Sequence, residues 1–221
     1  MGIGPVALHL YGDLANQGLI MPRQSICELG SQDVYPENFQ MAQLFLEFAH
    51  SGGHYESSRA LMTALGFDYT CIDMDGKHGA LKLDLNIATY GDLDYHTFDN
   101  VTNHGTTEHV FDQANCFRLI HDLTKEGGLM IHIVPTRGLG RSLGYDGHGL
   151  FLYSSGLFGD LAIANGYEMV RFYEEEDRAG ALVVAVMRKV SAKLFQFPLQ
   201  ANYRLAEKIK QDFLKLGYEV S

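Results

Sequence analysis

The sequence predicts an α/β fold: a mainly parallel sheet of seven strands, helices on both faces, and an antiparallel final strand. Two observations carry this. Segments of strand type alternate with segments of helical periodicity along the chain, as they do when crossover helices return the chain to one end of a parallel sheet. The last two strand segments are joined by a short turn (EEEDRAG), too short for a crossover, so one of them runs antiparallel.

The elements follow in order. Residues 25–29 (SICEL) form a short strand ending in an acid and a glycine. In 36–49, Met41, Leu44, Phe45 and Phe48 lie at i, i+3, i+4 and i+7, the spacing of an amphipathic helix. Residues 57–65 form a second helix, with Ser57 as N-cap and Gly66 at its end. Residues 69–73 (YTCID) make the next strand, and 80–85 (ALKLDL) alternate like a third. A fourth covers 98–103. The 112–123 segment is helical, with Cys116, Phe117, Leu119, Ile120 and Leu123 on one side, and it stops at Gly127-Gly128. Residues 129–134 (LMIHIV) are a nearly continuous apolar strand. Residues 155–165 are helical and end at Asn165-Gly166. Strands at 167–173 and 181–188 follow, the second (ALVVAVMR) apolar enough for a sheet interior. Residues 202–216 place Leu205, Ile209, Phe213 and Leu216 on one helical face. The run Glu174–Asp177 reads as a solvated turn. The whole chain, 1–221, is read as one domain, with its core at about 25–188 and an insertion at about 33–56.

Composition narrows the function. The chain has 221 residues, 46% hydrophobic and 20% charged, with a net charge of −10. That acidic balance argues against nucleic acid, whose binding is driven by clustered Lys and Arg. No apolar run approaches the 18 residues or so of a membrane span. No secretory leader pattern opens the sequence. Cys27, Cys71 and Cys116 are odd in number and set among apolar residues, as buried free thiols would be. A cytoplasmic location is expected.

Ligands of open α/β sheets sit outside the carboxyl ends of the strands. Those ends read Glu28-Leu29-Gly30, Asp73-Met74-Asp75, Asp84-Leu85 and Asn103-His104-Gly105. Three of the four carry a carboxylate, which suits ribose hydroxyls, an exocyclic amine or a cation and would repel a pyrophosphate. A dinucleotide site wants G-x-G-x-x-G after the first strand and an acid about 20 residues later. Here only Gly30 is present, in GSQDVY, and Asp73 lies 43 residues beyond it. A cofactor without phosphates fits better.

The ordered set ICELGSQ, YTCIDMD, LKLDL, FDNVTNHGTTEHV and LTKEGGLMIHIVP, with HGLFLYSSGLFGDLAIANGYEMV after it, resembles the class I S-adenosylmethionine-dependent methyltransferases. The likeness spans about residues 25–188. It implies a Rossmann-like fold and S-adenosyl-L-methionine as cofactor. It further implies that Glu28 and the Gly30-Ser31 backbone hold the methionine part. Asp73 would accept the ribose hydroxyls and Met74 pack on the adenine. Asp84 would meet the adenine amino group, the Leu85 amide a ring nitrogen, and the Asn103 carbonyl the ammonium. The pattern departs from the family in two places. Gln32 and Val34 stand where further glycines are usual, and the first two strands are unusually far apart.

Methyl transfer from a sulfonium needs alignment and dryness, plus a base when the acceptor is a hydroxyl or a protonated amine. His104 and His109, in the segment after the fourth strand, are candidate bases, and so is His148. Glu108 is a candidate partner of a base or a substrate contact. The same side chains could ligate a metal, but their spacing is not H-E-x-x-H and no metal is expected. The reading is therefore an enzyme moving a methyl group to oxygen or nitrogen of a small molecule. The alternative is a non-catalytic domain that binds S-adenosylmethionine or S-adenosylhomocysteine; an oxidoreductase of related fold stands third. The 33–56 insertion and the C-terminal helix have two open uses: covering the pocket or making a homodimer contact.

Overall fold

The structure, a computed structural model, describes residues 2–34, 55–136, 149–176 and 180–198. In chain order these form β1 (Gly2–Ile3), α1 (Pro5–Asn16), β2 (Ser25–Leu29), β3 (Asp33–Val34), α2 (Ser58–Ala64), β4 (Asp68–Ile72), β5 (Phe98–His104), α3 (Gln113–Leu123), β6 (Thr124–Pro135), α4 (Ser155–Asn165), β7 (Glu168–Glu176) and β8 (Ala181–Arg188). Six strands make the main sheet, in the order β4-β2-β5-β6-β8-β7. The pairs β4·β2, β2·β5 and β5·β6 are parallel, and β8 is antiparallel to both β6 and β7. Strand β8 alone is therefore reversed. The expected helices at 36–49 and 202–216 lie outside the described residues, as does most of the 33–56 insertion. Residues 33–34 pair in parallel with β1.

The sheet has six strands where seven were expected, because 80–85 supplies only a single parallel bridge, Ile72 to Leu81. The chain turns away at once. The Asp84 carboxylate accepts both the backbone N–H and the side-chain amide of Asn86, at 2.9 and 2.7 Å. The Asp84 carbonyl takes the amides of Ile87 and Ala88. Such local side-chain-to-backbone bonds compete with a ladder for the same groups. A second difference is at Gly127-Gly128. Helix α3 ends at Leu123, and β6 begins before the glycines, with its pairing to β5 broken across them, from Phe98 with Thr124 to Asn100 with Leu129. Glu174, Glu175 and Glu176 are paired strand residues of β7 rather than a turn.

Helix α1 was not anticipated. Pro5 opens it, as suits a ring with fixed φ and no N–H to lose. Val6, Leu10 and Leu14 recur every four residues, and Ala7 and Tyr11 extend the same stripe. All five are buried. They join α2 and one face of the sheet, including Ile26, Ile131 and Val184. Helices α3 and α4 cover the other face, against Cys27, Met130, Val134 and Ala185. The three cysteines are buried and free; burial pushes the Cys71 thiol up to about 11 and the Cys116 thiol up to about 12. None of the described helices is long and apolar enough to cross a membrane.

After β8 the chain runs as a strap over α3 and α4. The Lys189 ammonium donates to the carbonyls of His121 and Thr124, at 2.7 and 2.9 Å, and so closes the end of α3. His121 Nε2 lies 2.7 Å from the Lys193 carbonyl, and its Nδ1 lies 2.6 Å from the Tyr167 hydroxyl. Asn165 exchanges two hydrogen bonds with the Gln196 backbone.

Leu14 is fully buried at the end of α1. Replacing it, Leu14→Ala, should lower the unfolding free energy by about 2–5 kcal/mol, measured by urea denaturation. A change below 1 kcal/mol would show that α1 is not part of the cooperative core.

Candidate active site

The parallel register brings the strand ends level. Leu29 lies beside Ile72 on one side and Asn103 on the other, and His104 lies beside Ile133. The loop leaving β2 is bonded to both neighbours. The Gly30 amide donates to the Ile72 carbonyl at 2.8 Å. The Ser31 amide donates to Asp73 Oδ2 at 2.7 Å. On the other flank the Thr106 hydroxyl donates to the Leu29 carbonyl at 2.6 Å, and Gln32 Nε2 reaches the same hydroxyl at 3.2 Å. Gly30 has φ +80°, and a Cβ there would overlap the Thr106 side chain. Any other residue would meet both backbone strain and a clash. Asp33 ties this region to the loop after β4, accepting from Lys77 Nζ at 2.7 Å and lying 2.9 Å from His78 Nε2. The Lys77 and His78 contacts hold its carboxyl below the usual range.

The residues predicted to hold a cofactor fall into two groups. Gly30, Ser31, Asp73 and Met74 stand together at the edge. Asp73 is half-buried and Met74 is 67% exposed. Asp84 and Leu85 follow on the turn that replaced the seventh strand. Asp84 is held below the usual carboxylate range by its bonds from Asn86, and the Leu85 carbonyl accepts from Asn115 at 3.0 Å. Glu28 and Asn103 lie deeper. Glu28 is buried, with Oε2 accepting from the hydroxyls of Ser58 and Tyr69. Its Oε1 is 3.5 Å from His104 Nδ1. His104 Nε2 is in turn 3.2 Å from the Tyr11 hydroxyl, with the two rings edge to face. Glu28 and His104 thus share a buried polar cluster beneath the edge, on the side of α1 and α2.

The Asn103 side chain faces the other way. It donates to Thr107 Oγ1 at 2.9 Å, accepts from the Thr107 amide at 3.2 Å, and lies 3.3 Å from His132 Nδ1. Burial, reinforced by nearby His104, pushes the His132 imidazole down to about 3, so it is neutral at any ordinary pH. The Tyr153 hydroxyl lies 2.8 Å from Thr107 Oγ1 and 2.6 Å from Gln113 Oε1. This polar chain fixes the 3₁₀ turn Thr107–His109. Neither Tyr153 nor Gln113 was foreseen. Gln113 has no motif around it, and Tyr153 lies in the HGLFLYSSGLFG stretch that carries part of the resemblance.

Glu108 occupies the middle of that turn, fully buried. Among the described residues, no neighbour gives either carboxyl oxygen a hydrogen bond. The nearest base is His109 Nε2 at 3.9 Å, on a half-exposed ring. The Glu108 carbonyl accepts from Leu150 and Phe151 amides at 2.6 and 3.2 Å. Gly149, at φ +77°, packs so closely that a Cβ would lie 2.8 Å from Glu108 Cγ. Burial raises the Glu108 carboxyl to about 7. His148, the third predicted base, lies outside the described residues. Among the described residues no group of three or more His, Cys, Asp and Glu side chains is placed to hold a metal.

Beside the turn, a pocket of about 300 Å³ opens between α3 and α4. Phe117, Phe151, Tyr153, Leu157 and Phe195 are among its walls. The strap forms one side of it. Its lining comes from four separated segments, so no local pattern announces it.

No protein-family model matches the sequence, and no curated protein matches it. Solved structures do match the fold. The Burkholderia thailandensis 1,6-didemethyltoxoflavin-N1-methyltransferase, with 1,6-didemethyltoxoflavin and S-adenosylhomocysteine bound, is 13% identical over 83% of this chain and 78% of its own, with a TM-score of 0.53. A candidate sarcosine dimethylglycine methyltransferase from Galdieria sulphuraria is 15% identical over 81% of this chain and 83% of its own, with a TM-score of 0.50. A chain from the Haloferax volcanii complex of the Trm112 methyltransferase activator with a candidate methyltransferase is 12% identical over 83% and 91%, with a TM-score of 0.51. At these identities the likeness is one of fold. The chain has the fold of the class I S-adenosylmethionine-dependent methyltransferases.

Glu108 links stability to pH. Its carboxyl is at about 7 when folded, against 4.5 as the ordinary value, so the folded protein binds the extra proton. The stabilisation is complete below pH 4.5 and is lost as pH rises through 7, a difference of about 3 kcal/mol. The Glu108→Gln variant should therefore gain about that much on wild type between pH 4 and pH 8 in urea denaturation. Parallel pH profiles for the two proteins would refute the assignment.

Proposed function

We propose that the chain is an S-adenosylmethionine-dependent methyltransferase acting on oxygen or nitrogen of a small-molecule acceptor. One observation carries the reading: the Ser31 amide on Asp73 Oδ2, which locks the loop after β2 to the acid after β4. Among the described residues, the bond leaves Asp73 Oδ1 with a long contact, 3.3 Å, from the Asp75 amide. A half-buried acid with a spare oxygen, beside an exposed Met74, suits a ribose followed by a flat apolar base. The net charge of −10 favours a small acceptor over a nucleic acid.

The residues divide the work. Asp73 would accept the ribose hydroxyls, and Met74 would lie against the adenine. Asp84 and the Leu85 amide would meet the adenine edge. The Gly30-Ser31 backbone and the Asn103 carbonyl would face the methionine part. Glu28 would serve that part from beneath, by holding Ser58 and Tyr69 at the start of α2 and on β4. The bound cofactor supplies an electrophilic methyl group on a positively charged sulfur. Around it the acidic edge offsets the charge, and the buried β5 turn keeps water out. Glu108 and His109 would hold or take the acceptor's proton. His104 has its ring nitrogens turned to Tyr11 and Glu28, so its part would be to fix the end of β5. His148 remains a proposed base.

Calorimetric titration tests this. S-adenosylhomocysteine should bind with one site per chain, and NAD should not. The Asp73→Ala variant should bind S-adenosylhomocysteine at least tenfold more weakly, since each charge-assisted hydrogen bond lost is worth about 1.5–3 kcal/mol. Absence of S-adenosylhomocysteine binding by wild type would overturn the proposal. Binding without turnover on any of a broad set of acceptors would make the chain a cofactor-binding domain instead.

A further inference from the structure

A buried carboxylate is costly unless a charge or a hydrogen-bond donor meets it. Glu28 has two hydroxyls and a nearby imidazole. Its Oε1 has no hydrogen bond, but Glu108, in the turn after β5, has neither oxygen bonded to a neighbour among the described residues. It is not a loosely placed side chain. Its carbonyl is pinned by Leu150 and Phe151, its stem is wedged against Gly149, and the turn is fixed through Thr107 to Asn103 and Tyr153. Among the described residues the structure holds an acid rigidly in a dry place where no neighbouring residue donates a hydrogen bond to its oxygens; only its own backbone amide works against the burial. The missing donor has a definite chemistry: a group that brings protons and positive charge. The segment that covers Glu108 also walls the apolar pocket, through Phe151 and Tyr153. Glu108 is not itself a wall of that pocket, but one short segment packs on the acid and lines the apolar space.

We propose that the methyl acceptor is an amine on an apolar or aromatic body, and that Glu108 binds its nitrogen and takes its proton. This rests on the methyltransferase reading above. An ammonium has no lone pair to give, so it must first lose a proton. Glu108 as carboxylate accepts that proton from the bound R–NH₃⁺, leaving a neutral acid and R–NH₂. The nitrogen lone pair then forms a bond to the sulfonium methyl carbon, while that carbon's bond to sulfur breaks and leaves its electron pair on sulfur. The product leaves as R–NH₂–CH₃⁺, and Glu108 returns its proton to water. Charge is conserved throughout. A carboxyl raised by burial to about 7 suits both halves of the exchange. The groups that face it are His109 at 3.9 Å and Tyr153, whose own hydroxyl Glu108 helps to raise.

The test reads the Glu108 carboxyl by carbon NMR in protein labelled at glutamate, assigned by its loss in Glu108→Gln. The probes are benzylamine and phenethylamine, with benzyl alcohol as the neutral control, each with and without S-adenosylhomocysteine. The Glu108 midpoint should lie near 7 in free protein and fall by at least one pH unit with saturating amine. Benzyl alcohol should not lower it. Amine affinity should drop at least tenfold in Glu108→Gln, with S-adenosylhomocysteine affinity unchanged. A midpoint that no amine moves, or equal amine affinity in the two proteins, would overturn the amine assignment even where S-adenosylhomocysteine binds. Loss of S-adenosylhomocysteine binding in wild type would instead strike the methyltransferase reading, which the amine titration does not touch.

Discussion

The loop leaving β2 is stitched to both of its neighbours, and much of the carboxyl edge depends on those stitches. On one flank two bonds run to β4 and its loop; on the other the Thr106 hydroxyl reaches back to Leu29. Only a glycine fits between them. With the loop fixed in this way, the acid after β4, the turn after β5 and the start of α2 are all positioned relative to one backbone segment. The first consequence is economy of sequence. A single glycine does here what several do in a looser phosphate-binding turn, because neighbouring side chains supply the constraint.

The same edge handles buried charge in two ways. One oxygen of Glu28 accepts hydroxyls from α2 and β4, the other faces His104 at 3.5 Å, and Tyr11 completes the cluster through His104. Its charge is absorbed within the protein, so it acts as part of the frame. Glu108 is equally buried but has a backbone held by hydrogen bonds and a carboxyl left without them. Hydrogen-bonded networks rigidify what they join; Glu28 has one oxygen in such a network and one without a partner, whereas among the described residues Glu108 has neither oxygen bonded to a neighbour. The contrast separates supporting from working groups more sharply than distance to the edge does.

Much of this was legible in the sequence, for identifiable reasons. Strands β2 and β8 have the bounds read from their apolar runs, and α4 ends at Gly166 as the Asn-Gly pair implies. The strand ends rightly drew attention, since a parallel sheet gathers them at one edge. Residues 80–85 misled, because alternation of Leu and polar residues says nothing about Asn86 capturing Asp84. Helix α1 was passed over although Pro5 and the four-residue recurrence of Val6, Leu10 and Leu14 announce it. The division of roles between Glu28 and Glu108 could not be read at all. It depends on which hydroxyls fold in from Ser58, Tyr69 and Tyr11, residues distant in sequence from the acids they do or do not reach.

Strand β8 sits between β6 and β7, although it is the last of the three to be made. Until it arrives, β7 has no place in the sheet, and β6 presents an open edge whose side chains include Met130, Ile131 and Val134. A chain emerging from the ribosome can assemble β4, β2, β5 and β6 in turn, but it must carry that adhesive border unprotected until residue 188 is out. Exposed edges of this kind recruit other chains. The interval between synthesis of β6 and of β8 thus leaves that edge without its partner.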